Sequence, residues 1–273
     1  MRRQYLGVLI LGLVLMSLVL PGAHRALNPH PGTPGRRPIF VFVPVRGEEM
    51  PEWVSHYRGL LSEAQTALAE VRDPQVRGEL LSQVGIQQAV LDVEAGIALL
   101  REIPDRSTRA LAWAKLAGLL YEDLPRKARR LWDEALSLGE KVTSPPARAL
   151  LLVSVGHSAA KWEPLRARRS LQAAEEIAQS LTDPEEQATV GLALVEGWAP
   201  LSREKSEQAA QKVRAAIANL PRDRQASVLG LLAAALGPVD VRAAREVAGA
   251  IPDPVVRIRT LCKLAELVRP EEY

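Results

Sequence analysis

The stretch RALAWAKLAGLLYEDLPRKARRLWDEALSLG, residues 109–139, decides the fold. Both of its halves place apolar residues at i, i+3, i+4 and i+7, with a break at Pro125 between them. This spacing gathers side chains on one face of an α-helix. The positions are Ala110, Trp113, Ala114, Ala117, Leu120 and Tyr121, then Ala128, Trp132, Ala135 and Leu138. The stretch therefore predicts two helices joined by a turn, that is, a helical hairpin.

Similar hairpin starts recur along the chain. Four dipeptides combine a residue that favours the helix N-cap with a proline at the first helical position, where its missing N–H has no partner to lose. They are Asp73-Pro74, Ser144-Pro145, Asp183-Pro184 and Asp253-Pro254. Asp105 and Asp223 are predicted to start two further units without the proline. Pro125, Pro164, Pro200 and Pro238 mark the turns inside the units.

Aligning the units on these starts gives a repeat with an interval of 32 to 39 residues. An aliphatic residue followed by a mostly small one recurs as Val84-Gly85, Leu116-Ala117, Val155-Gly156, Leu194-Val195, Leu232-Ala233 and Leu264-Ala265. Six residues before each aliphatic residue stand Gly78, Ala110, Ala149, Ala188, Ala226 and Ile258. The small residues predict close helix–helix approach, and an interval of this length predicts stacked units. We expect residues 53–273 to form an all-α superhelix (solenoid) of stacked hairpins, with capping helices at 53–71 and 254–268.

The two central units resemble the tetratricopeptide-like α-solenoids. The residues that carry the resemblance are Trp113, Leu116, Ala117 and Leu120, with Ala128, Trp132 and Ala135 on the second helix, and their counterparts Leu152, Val155, Gly156, Ala159, Ala167, Leu171 and Ala174. The units differ in length from that family's usual period, and HEAT-like packing stays open as an alternative. The resemblance implies a superhelix with a concave peptide-binding surface and implies no enzyme activity.

The N-terminus has the composition of a targeting segment. Residues 1–27 begin with Arg2 and Arg3 and continue with an uncharged apolar run at residues 6–20. This pattern predicts a signal peptide or a signal anchor, and the basic start predicts export of the body, so we expect an extracytoplasmic protein. Residues 28–52 read as a Pro/Gly-rich spacer. Inside the spacer, residues 39–43 (IFVFV) favour β structure and would either pack on the first helices or add to a partner's sheet.

Composition excludes several classes of protein. The formal net charge of +3 equals the three arginines of residues 1–27, so the remaining chain carries no excess charge that would predict nucleic-acid binding. Cys262 is the one cysteine, which excludes an intramolecular disulfide and a CxxC metal site. None of the four histidines lies three or four residues from another. We therefore expect no cofactor and no metal.

One short segment resembles a catalytic motif. Residues 156–160 (GHSAA) approach the G-x-S-x-G nucleophile elbow around Ser158. That motif requires a sharp strand-to-helix turn, whereas the repeat places Gly156 within a helix. The sequence therefore favours a helix interior over a hydrolase, and we expect no enzyme.

Seven cations open two of the predicted second helices, and we call them the arginine edge. They are Arg126, Lys127, Arg129, Arg130, Arg166, Arg168 and Arg169. Cations oppose the helix dipole at this end, so local helix stability does not account for them. Arg129 and Arg130 have acidic residues four positions later and are expected to pair with them as in a solvated surface. Arg168 and Arg169 lack such partners, since Gln172 and Ala173 stand at those positions. The sequence favours a solvated edge, and an anionic ligand is the alternative interpretation.

These observations predict an exported or membrane-anchored helical-repeat scaffold that binds another protein or peptide in the cell envelope. The alternative is a module that binds anionic lipid or glycan through the arginine edge. Residues 6–20 would contact the membrane if the leader is retained.

Overall fold

The structure, a computed structural model, describes residues 52–268 and forms only α-helices within them. The helices are α1 (Glu52–Leu68), α2 (Pro74–Leu91), α3 (Val93–Arg101), α4 (Arg106–Leu120), α5 (Pro125–Gly139), α6 (Pro145–Ala159), α7 (Pro164–Ser180), α8 (Pro184–Trp198), α9 (Arg203–Ile217), α10 (Arg222–Leu236), α11 (Val241–Gly249) and α12 (Pro254–Val268). The predicted leader (1–27), the spacer up to residue 51 and the run 39–43 lie outside the described residues. No helix within 52–268 combines the length and apolar character needed to cross a bilayer.

The predicted caps set the helix starts. Asp73 accepts hydrogen bonds from the N–H groups of Gln75 and Val76, and Asp105 accepts one from Thr108 at 2.6 Å. Ser144, Asp183 and Asp253 act in the same way before Pro145, Pro184 and Pro254. Asp223 was expected to start its helix, and this is wrong. The helix already begins at Arg222 after Pro221, since proline's fixed φ favours helix entry, and so Asp223 falls within the first turn.

The described residues divide into two compact units, 52–216 and 217–268. In the first unit, α2, α4, α6 and α8 lie side by side as a first-helix layer. Each is followed by a helix of the second layer: α3, α5, α7 and α9. The second-layer helices α3, α5 and α7 also touch the next first-layer helix along the chain, and α1 packs on α2. The predicted stack of helical hairpins is therefore present in this unit.

Small residues allow the two helices of a hairpin to approach closely, as the repeat predicted. A Cβ atom added to Gly156 of α6 would lie 2.6 Å from Cγ of Leu171 and 3.1 Å from the carbonyl oxygen of Ala167, both in α7. A Cβ on Gly96 of α3 would lie 2.6 Å from the carbonyl oxygen of Gly85 in α2. Such distances leave no room for a side chain, so glycine at these positions sets the spacing between the helices.

In the unit 217–268, α10, α11 and α12 pack on one another around Leu232, Leu236, Ile251 and Leu264. The repeat predicted that Ile258 is equivalent to the buried Ala110 and Ala149, but Ile258 is 61% exposed. Ile258 lies on α12, within the segment 254–268 that the sequence predicts to be a capping helix.

Candidate functional site

The structure divides the arginine edge into two groups. Lys127, Arg129 and Arg166 form ion pairs with other parts of the first unit. The other four side chains are exposed and make no ion pair or hydrogen bond within the described part of the chain. We call these the outer arginines: Arg126, Arg130, Arg168 and Arg169. Neighbouring cations at the starts of α5 and α7 therefore differ in whether they form ion pairs.

The bonded cations join successive second-layer helices. The third residue of α5, α7 and α9 is a base that pairs with an acid on the preceding second-layer helix. Arg166 Nη1 lies 2.7 Å from Asp133 Oδ1, and Lys205 Nζ lies 3.3 Å from Glu175 Oε2. We call the series the ion-pair ladder: Glu94 with Lys127, Asp133 with Arg166, and Glu175 with Lys205. The ladder accounts for cations at helix ends where the dipole disfavours them.

The expected pairing of Arg129 with Asp133 is wrong, because both residues have partners in the next hairpin. Arg129 donates to Glu163 and to the hydroxyl of Tyr121, while Asp133 accepts from Arg166. Arg166 also donates to Glu163, at 2.8 Å. Burial acts to raise the pKa of Glu163, but hydrogen bonds and charge from Arg129 and Arg166 outweigh it and lower that pKa. Glu163 is thus a shared acceptor between two hairpins.

Three aromatic rings form a stack beside these ion pairs. The Tyr121 ring lies 5.4 Å from the Trp132 ring and 5.5 Å from the Trp162 ring, nearly parallel to both. Arg166 lies over Trp132 and Lys161 over Trp162, at 5.7 and 4.0 Å from the ring centroids. The aromatic stack (Trp132, Tyr121, Trp162) therefore strengthens the junction between the hairpins α4–α5 and α6–α7.

Ser158 belongs to this junction. Its Oγ accepts a hydrogen bond from Trp132 Nε1 at 2.9 Å and donates to the carbonyl oxygen of Val155 at 3.1 Å. Gly156 and Ser158 lie within α6. The strand-to-helix turn of a nucleophile elbow is therefore not formed here. Within residues 52–268, no group of three or more histidine, cysteine or acidic residues is placed to hold a metal ion.

A second surface lies on the first-helix layer and was not singled out from the sequence. Lys115 of α4, His157 of α6 and Glu196 of α8 stand on three successive helices of this layer. Lys115 and Glu196 are half-buried, and His157 is exposed. The His157 imidazole donates through Nδ1 to the carbonyl oxygen of Glu196 at 3.2 Å. We call the surface formed by these three residues the recess.

The surroundings shift the pKa of all three groups against the charged form. Burial lowers the pKa of Lys115 and raises that of Glu196, and the charge of each partly offsets the effect on the other. Surrounding protein also lowers the pKa of His157, although its hydrogen bond to Glu196 works in the other direction. His157 is therefore exposed, while the surrounding protein still disfavours its charged form.

The only sequence signal for the recess was three polar residues on otherwise apolar helices. His157 was considered only as a neighbour of Ser158. Lys115 and Glu196 are far apart in the sequence, so no local spacing relates them. A cleft of about 220 Å³ between the α1–α2 and α3–α4 connections was not predicted either, and Arg72, Arg77 and Glu102 are among its lining residues.

Comparison with known proteins adds no relative to this description. No protein-family model, no curated protein and no solved structure matches the chain. A function is therefore argued from the recess and from the outer arginines.

Proposed function

We propose that this chain is an exported or membrane-anchored scaffold of tetratricopeptide-like repeats that binds another protein along its first-helix layer. The observation that carries the proposal is the recess. Its ionisable groups are held where their charged forms are disfavoured. The stability of the fold therefore does not explain why ionisable residues occur at these positions. A bound partner would add interactions to these groups.

The chemistry of the recess favours a peptide segment with charges of both signs. A partner segment with charges of both signs would extend the charge interaction that Lys115 and Glu196 already share. Such interactions are stronger in a partly desolvated site than in open water. His157 uses Nδ1 for its bond to Glu196, which leaves Nε2 to accept a hydrogen bond when the ring is neutral. Half-buried Leu111 and Leu119 on α4 add apolar contact area.

The N-terminal sequence supports an extracytoplasmic location for this activity. The basic start and apolar run of residues 1–27 follow the pattern of secretory signals and anchors. The helical hairpins would then act outside the cytoplasm, where such a scaffold holds a partner near the membrane or in the surrounding envelope. The extracytoplasmic location is proposed from the sequence pattern alone, and protein binding at the recess does not depend on it.

A crosslinked pull-down of the tagged full chain from its native membrane fraction tests the proposal. The double variant Lys115→Met with Glu196→Gln removes both charges and nearly keeps side-chain size. We expect it to reduce capture of a discrete partner by about tenfold or more, as is typical when central charged contacts are removed. Circular dichroism should show unchanged helix content in the variant.

The matched control is Lys141→Met with Glu140→Gln, two exposed neighbours after α5 with no ion pair in the described structure. Partner capture should be unaffected. Equal capture by wild type and the recess variant would exclude the recess as the binding surface, and absence of any discrete partner would contradict the scaffold function.

A further inference from the structure

The outer arginines form a basic surface that the stack itself does not use. Arg126 and Arg130 lie one turn apart on α5, and Arg168 and Arg169 lie side by side on α7. Asp133, an acid within reach, is already bound by Arg166. Glu134 is four residues from Arg130 but forms no ion pair with it in the described structure. The positive charge of this surface therefore stays available to a partner.

An exposed apolar side chain lies within the same surface. Leu165 is 73% exposed, the most exposed of the large apolar residues in the described chain. It precedes Arg168 and Arg169 by three and four residues, which places the three side chains on one face of α7. Lys161, exposed in the turn before α7, adds another cation. A leucine among cations is the composition of a surface that contacts a bilayer interface.

The basic surface ends at the neighbouring second-layer helices. On α9, the positions equivalent to Leu165, Arg168 and Arg169 are Glu204, Glu207 and Gln208. On α3, the exposed residues include Glu94, which the ion-pair ladder binds to Lys127. The surface therefore covers α5, α7 and the turn before α7, and it does not continue along the whole layer.

We propose that this surface binds an anionic phospholipid membrane, with the outer arginines on lipid phosphates and Leu165 in the interfacial region. Guanidinium groups donate paired hydrogen bonds to phosphate oxygens, and juxtamembrane cations are attracted by anionic leaflets. A glycan or a soluble anion would satisfy the arginines but would leave Leu165 without an apolar environment, whereas a bilayer interface provides for both. The leader at residues 6–20 is predicted to bring the chain to a bilayer. The basic surface would then act close to lipid. This inference does not depend on the recess.

The test is a fluorophore attached to Leu165→Cys in the full chain, with Cys262→Ser to leave a single thiol. The chain is mixed with vesicles of phosphatidylcholine alone or with phosphatidylglycerol added. We expect quenching by nitroxide-labelled lipid, and protection from aqueous iodide, only with phosphatidylglycerol. The readout is local to residue 165, so insertion of residues 6–20 cannot produce it. About 1 M salt should abolish it, since the Debye length falls to about 3 Å.

Changing Arg126, Arg130, Arg168 and Arg169 to Gln should remove the lipid contact. Each cation near an anionic surface contributes roughly fivefold to partitioning, so the four together contribute roughly a hundredfold or more. The charge-matched control changes four exposed cations elsewhere in the same unit, Lys141, Arg148, Lys212 and Arg214, to Gln. The control should keep the lipid contact.

Three results would overturn the proposal. The first is a fluorophore that stays open to iodide on phosphatidylglycerol vesicles. The second is an equal loss of contact in the control variant, which would indicate general charge attraction. The third is protection by polyglutamate or by free inorganic phosphate but not by vesicles, which would assign the surface to an acidic protein or to a soluble anion.

Discussion

Two glutamates in adjacent layers of one helical stack have opposite environments. Glu163, at the start of the second-layer helix α7, accepts hydrogen bonds from two arginines, and its pKa is lowered. Glu196, in the first-layer helix α8, is desolvated more than it is paired, and its pKa is raised. Charged groups of the second layer thus join hairpins. In the first layer, by contrast, the charged form of Glu196 lowers the stability of the fold. The two layers therefore differ in what charge does for the stability of the fold.

Of the substitutions that test this comparison, Trp132→Ala is expected to change stability most, because it disrupts the second-layer junction. Trp132 is fully buried, stacks on Tyr121 and donates to Ser158. Its removal leaves a cavity and deletes the hydrogen bond to Ser158 Oγ, and should lower the free energy of unfolding by about 3–5 kcal/mol. Chemical denaturation measures the change. Trp53→Ala, at a 42% exposed ring of α1, is the control and should lower stability by much less.

Glu163→Gln should destabilise the protein by about 1 kcal/mol at neutral pH, because it removes a charged acceptor from two guanidinium groups. The folded-state pKa of Glu163 lies below its ordinary value of 4.5. The carboxylate therefore stabilises the fold above that value, and the stabilisation is lost as the pH falls through the folded-state pKa.

Denaturation of wild type and Glu163→Gln at several pH values measures this difference, which should shrink in acid. Glu134→Gln is the control, since Glu134 is exposed and forms no ion pair in the described residues. A difference that does not change with pH would show that the Glu163 charge has no part in joining the hairpins.

Glu196→Gln should act in the opposite direction and stabilise the fold by up to about 1 kcal/mol. The folded-state pKa of Glu196 lies above 4.5, so ionisation destabilises the fold as the pH rises through the interval between the two values. The gain should be absent well below pH 4.5 and complete above the folded-state pKa. Thermal unfolding across this range measures it, and a loss of stability at neutral pH would show that Glu196 is paired like Glu163.

His157→Gln is expected to have the smallest effect, a few tenths of a kcal/mol. The folded-state pKa of His157 lies below its ordinary value of 6.5. Wild type should therefore lose stability as the pH falls from 6.5 through the folded-state pKa, because the unfolded chain binds the proton more readily. The variant should show a weaker decline over the same interval. An equal decline in both proteins would assign the pH response to other groups.

Local chemistry made much of the fold predictable. N-cap residues, helix-starting prolines and small residues at fixed phase act within one or two helical turns, so Asp73, Pro184 and Gly156 could be placed from the sequence. The repeat alignment alone does not predict the exposure of Ile258, which lies in the segment 254–268 that was expected to cap the stack.

The candidate sites were less predictable because their contacts cross between hairpins. The spacing of Arg129 and Asp133 suggested a local pair, while the actual partners lie in the next hairpin. A usable signal existed in the recurrence of a base as the third residue of α5, α7 and α9. The sequence contains no comparable signal for the recess, because Lys115 and Glu196 become desolvated only when three helices pack together.

The ion-pair ladder has a consequence for how such a chain can lengthen. The helices α5 and α7 each carry a base for the preceding hairpin and an acid for the following one. The hairpins that contain α5 and α7 therefore each carry one charged partner for the hairpin before and one for the hairpin after. Tandem duplication of the α6–α7 hairpin would join new copies through the same chemistry, so the number of hairpins can change without a redesign of their junctions.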